Sequence, residues 1–175
     1  TYKLGMHQLE QIKKLDAEIP DNKPKLFGVV ENERQLTKTL FKMERQGIKI
    51  DRGFTEEALV NEKDRIEESI SAFEAQAGVE FKDSNKVLAG AFDAVGEPYP
   101  TTDKGNPSFK DEVLEKMTSP LAKVVQEYRN AKKKAYTYFA TYLDLADTED
   151  RIHTIFRQAG TGTARMSSSY QYLQQ

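Results

Sequence analysis

The stretch richest in chemistry is Gln158–Ser169, which reads QAGTGTARMSSS and sets small and hydroxylated residues around a single arginine. Small side chains let backbone approach another molecule, hydroxyls and amides donate hydrogen bonds, and Arg165 adds a charged fork. Purine N3 and pyrimidine O2 are minor-groove acceptors present in every Watson–Crick pair. An arginine placed there binds any correct pair without reading sequence and senses a mispair that displaces those acceptors. Threonine and serine hydroxyls and nearby lysines suit phosphate contacts, which fix register. A polar loop at a strand end is the plain alternative.

Covalent chemistry finds little to work with. There is no cysteine, which excludes a disulfide scaffold, thiol catalysis and a cysteine zinc site. His7 and His153 lie far apart in the chain and make a poor metal pair. GTGTAR has two glycines but lacks the GK[ST] ending of a phosphate loop and any G-x-G-x-x-G. Glu56/Glu57 and Glu67/Glu68 sit on solvated helix faces, and His153 has no nucleophile beside it. We expect no catalytic constellation and no metal site in this chain.

A chain of 175 residues suits one domain, or one domain plus a piece of another. No run of 18 apolar residues could form a transmembrane helix, and TYKLGMHQLEQ does not read as a signal peptide. The expectation is a soluble intracellular protein. The net charge of −2 hides an asymmetry: residues 151–175 hold three arginines and no acid, and residues 123–134 hold five bases against Glu127 alone. A polyanion would be met in this last third; a solvated helix face explains the charges equally well.

The elements that must position these residues are mostly helical. Leu36, Leu40 and Met43 follow i, i+4, i+7, with Gly47 where a helix end wants positive φ. GIKID is a short extended piece. Thr55 can cap a second helix carrying Leu59, Ile66, Ile70 and Phe73, closed by Gly78. Val79 and Phe81 read as extended, and Asp83, Ser84 and Asn85 offer caps for a helix with Leu88, Ala91, Phe92 and Val95. GEPYPTTDKGNP (96–107) is a loop, Ser108 and Asp111 fit a capping arrangement, and Ser119-Pro120 opens a last long helix. There Val124, Tyr128, Ala131, Ala135, Tyr138, Tyr142 and Leu145 step by 4 and 3, a seam for a partner helix. Arg129, Lys132, Lys133 and Tyr136 fall on the other side. Residues 152–156 alternate as a strand. The chain starts without Met inside an amphipathic pattern (Leu4, Leu9, Ile12, Leu15) and stops at QYLQQ, so we expect a fragment of a longer protein.

IHTIFRQAGTGTARMSSSYQYLQQ resembles the segment of family A DNA polymerases that enters the palm, roughly R-[LI]-H-T-x-[FY]-x-Q-x-x-T-x-T-G-R-L-S-S followed by N-L-Q-N-I-P. Arg151, Ile152, His153, Thr154, Gln158, Thr161, Thr163, Arg165, Ser167, Ser168, Leu173 and Gln174 match. Upstream, LTKTLFKMERQGIKID resembles the first thumb helix, FKDSNKVLAGAF the thumb-tip motif, TTDKGNPSFKDEVLEKM the K-T-x-x-G-x-x-S-T stretch, and EYRNAKKKAYTY the E-Y-R-x-x-x-K-L-x-x-T-Y helix, in the family's order. TYKLGMHQLEQ is similar to the chain after the last metal-binding aspartate of a proofreading exonuclease domain.

The resemblance implies a mostly α fold: a helical thumb of long antiparallel helices over 29–148, a preceding exonuclease-like tail or linker over 1–28, and a palm that begins with a short β segment at 149 and is cut at 175. It implies a grip on primer–template duplex, with Ser84, Asn85, Lys86 and Lys104 on phosphates at the thumb tip and Arg129 and Lys133 beside the backbone. Arg165 would probe the primer-terminal pair and Gln174 the template side, among the contacts of Gln158, Thr161, Thr163, Ser167 and Ser168. Ala164 replaces the family glycine before the arginine, Tyr172 the asparagine, and Ala135 a second lysine. The palm carboxylates, the Mg2+ they hold and the nucleotide-binding fingers would lie beyond Gln175, so no two-metal chemistry is expected here and dNTPs would be met only through those absent parts. A cytoplasmic monomer without a membrane partner is expected, in a bacterium or a phage host. A helical protein-interaction module using the 124–145 seam is the alternative.

Overall fold

The structure, a computed structural model, describes residues 2–21, 23, 25–158 and 165–168. It is mostly helical: α1 (Tyr2–Glu18), α2 (Leu26–Gln46), α3 (Arg52–Ala77), α4 (Asn85–Val95), α5 (Asp111–Leu114), α6 (Pro120–Lys132), a π-helical segment Lys133–Ala140 and α7 (Thr141–Leu145). Four two-residue strands, β1 (Ile48–Lys49), β2 (Arg151–Ile152), β3 (Phe156–Arg157) and β4 (Ser167–Ser168), form two separate antiparallel pairs, β1 with β2 and β3 with β4. The chain divides into two compact units, Ile50–Asp150 and Thr1–Lys49 with Arg151–Gln175.

The Ile50–Asp150 unit is closed at its own ends. The Ile50 N–H donates to the Asp150 carbonyl at 2.8 Å, and Arg52 Nε donates to Asp150 Oδ1 at 2.5 Å. Asp150 has φ +60°, a left-handed conformation that aspartate tolerates better than most residues. The cap of α3 is Asp51, whose carboxylate accepts from the Phe54 N–H at 3.0 Å. Thr55, expected to cap, lies one turn inside, where its hydroxyl bonds the Asp51 carbonyl at 2.6 Å. The helix starts earlier because nothing in Arg52-Gly53-Phe54 stops it and Asp51 is as good a cap as threonine. Gly78 ends α3 at φ +67°.

The core of this unit joins α3, α4 and α6. Phe73, Leu88, Phe92, Phe109, Leu114, Leu121 and Val125 are fully buried, and burying each such side chain is worth about 1.5–3 kcal/mol. Residues 79–81 form no strand. Instead the Phe81 N–H donates to Glu74 Oε1 at 2.9 Å, and the Phe81 ring stands edge-on between Phe73 (4.9 Å) and Tyr128 (4.5 Å). Ser108 is buried rather than a cap, its N–H bonded to the Pro100 carbonyl at 2.9 Å, and Lys110 precedes α5 without a side-chain cap. Ser119 caps α6 with Pro120 at its start.

The last helix is not α throughout. Over Lys133–Ala140 its turns close i→i+5, and the Thr141 hydroxyl donates to the Tyr136 carbonyl at 3.0 Å. The seam survives this change: Ala131 and Ala135 are buried, and Val124, Tyr128, Tyr138, Tyr142 and Leu145 are partly buried. Its partner is α3, which packs along α6 and the π-helical segment. On α3 the buried Ser69 satisfies its hydroxyl on its own helix, donating to the Arg65 carbonyl at 2.8 Å.

In the other unit α1 packs on α2. Asp16 caps α2 from outside, accepting from the Leu26 N–H and, at 2.7 Å, from the Phe27 N–H. Gly47 ends α2 at φ +65°, and a Cβ there would stand 2.8 Å from the His153 ring. The strand expected over 152–156 is interrupted. Ile152 pairs with Ile48, residues 153–155 leave the ladder, and Phe156 pairs with Ser168. Glu44 explains the break: its carbonyl accepts from His153 Nδ1 at 2.8 Å and its carboxylate from the Phe156 N–H at 2.6 Å. A carbonyl can only accept, so the His153 proton is on Nδ1.

Candidate nucleic-acid interface

Two groups of residues singled out by sequence assemble within the Ile50–Asp150 unit. The first surrounds the start of α4. Ser84 is its N-cap, accepting from the Val87 N–H at 3.5 Å, while Asn85 and Lys86 are exposed on the first turn. A helix start carries unpaired N–H groups and partial positive charge, and so favours anions. Facing it is a tight loop, in which Thr101 bridges Pro107, the Thr102 N–H donates to the Asn106 carbonyl at 2.8 Å and Gly105 takes φ +77°. The loop holds Lys104 exposed at its turn. Asn85, Lys86, Ala89, Gly90, Asp93, Asn106 and Pro107 line an open groove of about 660 Å³ between helix and loop. Asn106 escaped the sequence reading because an asparagine beside a glycine signals only a turn.

The second group lies on α6 and its continuation, and the structure changes its meaning. Arg129 does not stand on a solvated face, because its side chain is only 22% exposed. Nε and Nη2 donate to Asp83, the latter at 2.7 Å, and Nη1 donates to the Phe109 carbonyl at 2.5 Å and to Asp111 at 2.9 Å. Burial alone would lower its pKa; the bonds to Asp83 and Asp111 outweigh that and raise it. Lys133 is exposed, with Nζ 5.9 Å from the centre of the Tyr138 ring, and Lys132 lies over Tyr128 at 5.4 Å. Lys134 pairs with Glu62 on α3 at 3.4 Å. Among the described residues Lys132 and Lys133 form no carboxylate pair, so they carry the positive charge that this face presents.

In the other unit Gln158 is engaged at both ends of its amide. Nε2 donates to the Glu33 carbonyl at 2.8 Å, and Oε1 accepts from the Thr37 hydroxyl at 2.8 Å. It anchors the chain to α2. Ser167 and Ser168 form β4, with Ser168 buried and Ser167 half-buried, so Ser168 is poorly placed for a phosphate. Arg165 is exposed just before this strand. Thr161, Thr163 and Gln174 lie outside the described residues. No three His, Asp or Glu side chains gather to hold a metal ion among the described residues. The described residues therefore offer no ligand set for a metal ion. No helix among them is long and apolar enough to cross a membrane.

Comparison with known proteins decides what this framework is. The profile of DNA polymerase family A matches residues 53–175. The chain belongs to DNA polymerase family A. It is 29% identical to the DNA polymerase DpoZ of Vibrio phage phiVC8 in an alignment covering 100% of this chain and 29% of that protein. It is 34% identical to the DNA polymerase I of Helicobacter pylori over 82% of this chain and 16% of that one. Among solved structures it is similar to the POL domain of Pol1 from M. smegmatis in complex with DNA primer-template and dNTP, with a TM-score of 0.66, 28% identity, and coverage of 79% of this chain and 25% of the other. The chain thus spans less than a third of these family A relatives.

Proposed function

We propose that this family A segment holds primer–template duplex DNA by its backbone for a DNA-directed DNA polymerase. The α4 start with its facing lysine loop supplies the sequence-independent part of the grip. The supporting observation is the convergence of Ser84, Asn85 and Lys86 on a helix start opposite the loop of Lys104. That arrangement suits phosphate oxygens, which carry no sequence information. Arg165, exposed at the entry to β4, is assigned to minor-groove acceptors, and Lys133 to backbone phosphate. Nucleotide chemistry belongs to the larger protein, and Mg2+ to carboxylates outside this chain.

The interaction-module reading loses its main support, because the 124–145 seam is occupied by α3 of the same unit.

The test is duplex binding by fluorescence anisotropy across a salt series. Each phosphate neutralised steepens the log–log slope by about 0.9, so Lys86→Ala and Lys104→Ala each flatten it by about that amount, equally on unrelated sequences. Salt-independent affinity, or lysine variants that leave the slope unchanged, would overturn the reading.

A further inference from the structure

We infer that Arg129 is a positioning residue, a latch that holds the approach to α4 so that its first turn is presented preformed, and that it does not itself bind phosphate. The inference builds on the proposed phosphate grip at the α4 start. Through one guanidinium, Arg129 joins three stretches of chain. Asp83 immediately precedes the cap Ser84, Asp111 opens α5, and the Phe109 carbonyl belongs to a buried residue whose ring packs 5.1 Å from Phe92 and 5.3 Å from Tyr99. Four of the five guanidinium N–H groups have acceptors inside the unit.

Charge points the same way. Arg129 with Asp83 and Asp111 sums to −1, so the cluster as a whole repels phosphate. To serve as a phosphate ligand, the arginine would have to leave Asp83, whose side chain is only 24% exposed, and strand that carboxylate beside an incoming polyanion. Held in the latch, it instead neutralises an acid that would otherwise sit next to the tip.

The test uses the 175-residue chain and four variants: Arg129→Ala, Arg129→Lys, Asp83→Asn and the double variant Arg129→Ala/Asp83→Asn. Lysine keeps the charge but cannot reproduce a planar fork with several acceptors. We expect all four variants to weaken duplex binding by about tenfold, the double being no worse than Arg129→Ala because that single already breaks the bond to Asp83. The salt slope should stay at its wild-type value, since no phosphate contact is lost. Asp83→Asn is the sharpest arm, because removing an acid near a DNA site ordinarily tightens binding.

Amide hydrogen exchange without DNA reads the latch directly. Val87 and Leu88 should exchange faster in every variant while Phe73 and Val125 stay protected. A slope reduced by about 0.9 in Arg129→Ala, together with retained affinity in Arg129→Lys or tighter binding by Asp83→Asn, would make Arg129 a phosphate ligand and overturn the latch. Unchanged exchange at Val87 and Leu88 would overturn it too. If the wild type binds no duplex but the exchange pattern appears, the phosphate grip fails and the latch stands.

Discussion

Replacing Phe92 with alanine should release the tip from its foundation. Phe92 is wholly buried, with its ring 5.1 Å from Phe109 and 6.2 Å from Tyr99, and it shares a cluster with Phe73, Leu88 and Leu121. Truncating such a phenylalanine costs about 3–5 kcal/mol, the transfer of the ring plus the cavity left behind. We take about 4 kcal/mol, because Phe109 and Tyr99 come from a loop that can relax only part-way towards the gap. Domains of this size hold roughly 5–15 kcal/mol in all, so the loss removes a large share. With a urea m-value of about 2 kcal/mol per molar, the unfolding midpoint should fall by about 2 M.

The assay is urea unfolding followed by far-UV circular dichroism and by tyrosine emission, since the chain has eight tyrosines and no tryptophan. Phe27→Ala, at a side chain 44% exposed on α2, is the control and should stay within about 0.5 kcal/mol. A Phe92→Ala loss below about 1.5 kcal/mol would refute the claim that this core is tightly packed, and with it the claim that the α4 start is rigidly supported.

Two glycines should respond in opposite directions. Gly47→Ala sets a Cβ against the His153 ring and the Ile152 carbonyl at φ +65° and should destabilise by about 2 kcal/mol or more. Gly90→Ala, inside α4 with nothing within 4 Å of the added Cβ, should stabilise by about 0.5–1 kcal/mol; paired thermal melts decide both. Glu31 is held down to about 2, first by its bond to Arg34 and then by Gln35. Because its folded pKa lies below the unfolded value, whatever stability it adds is present above about pH 4.5 and fades as pH falls toward 2. An NMR titration of Glu31 should therefore show a midpoint well under 4, moving back to the usual carboxylate range in Arg34→Ala.

Signals confined to one turn of chain were legible in the sequence. Ser84, Ser119-Pro120, Gly47, Gly78 and the 4,3 seam all serve as their residue types suggest. Competition between neighbours was harder to read: Asp51 and Thr55 are both good caps, and the difference lies in where the helix can begin. Partnerships across distance left no local trace. Arg129 meets Asp83 46 residues away, and Gln158 meets Thr37 121 residues away, so an arginine and a glutamine that looked available for a ligand are held by their own fold. The π-helical turns were invisible for another reason, since apolar spacings of 3 and 4 say which side faces inward but not how many residues each turn contains.

Those π-helical turns bear on how the chain can vary in length. A turn closed by an i→i+5 bond contains one residue more than an α turn. Losing one residue from an ordinary α-helix swings everything beyond it by about 100° and tears the seam from α3. Losing one between Lys133 and Ala140 lets the segment relax to α geometry while Leu121, Val125 and the α7 side chains keep facing α3. The last helix thus has a single stretch where descent with insertion or deletion leaves the packing intact, and it begins at the exposed Lys133.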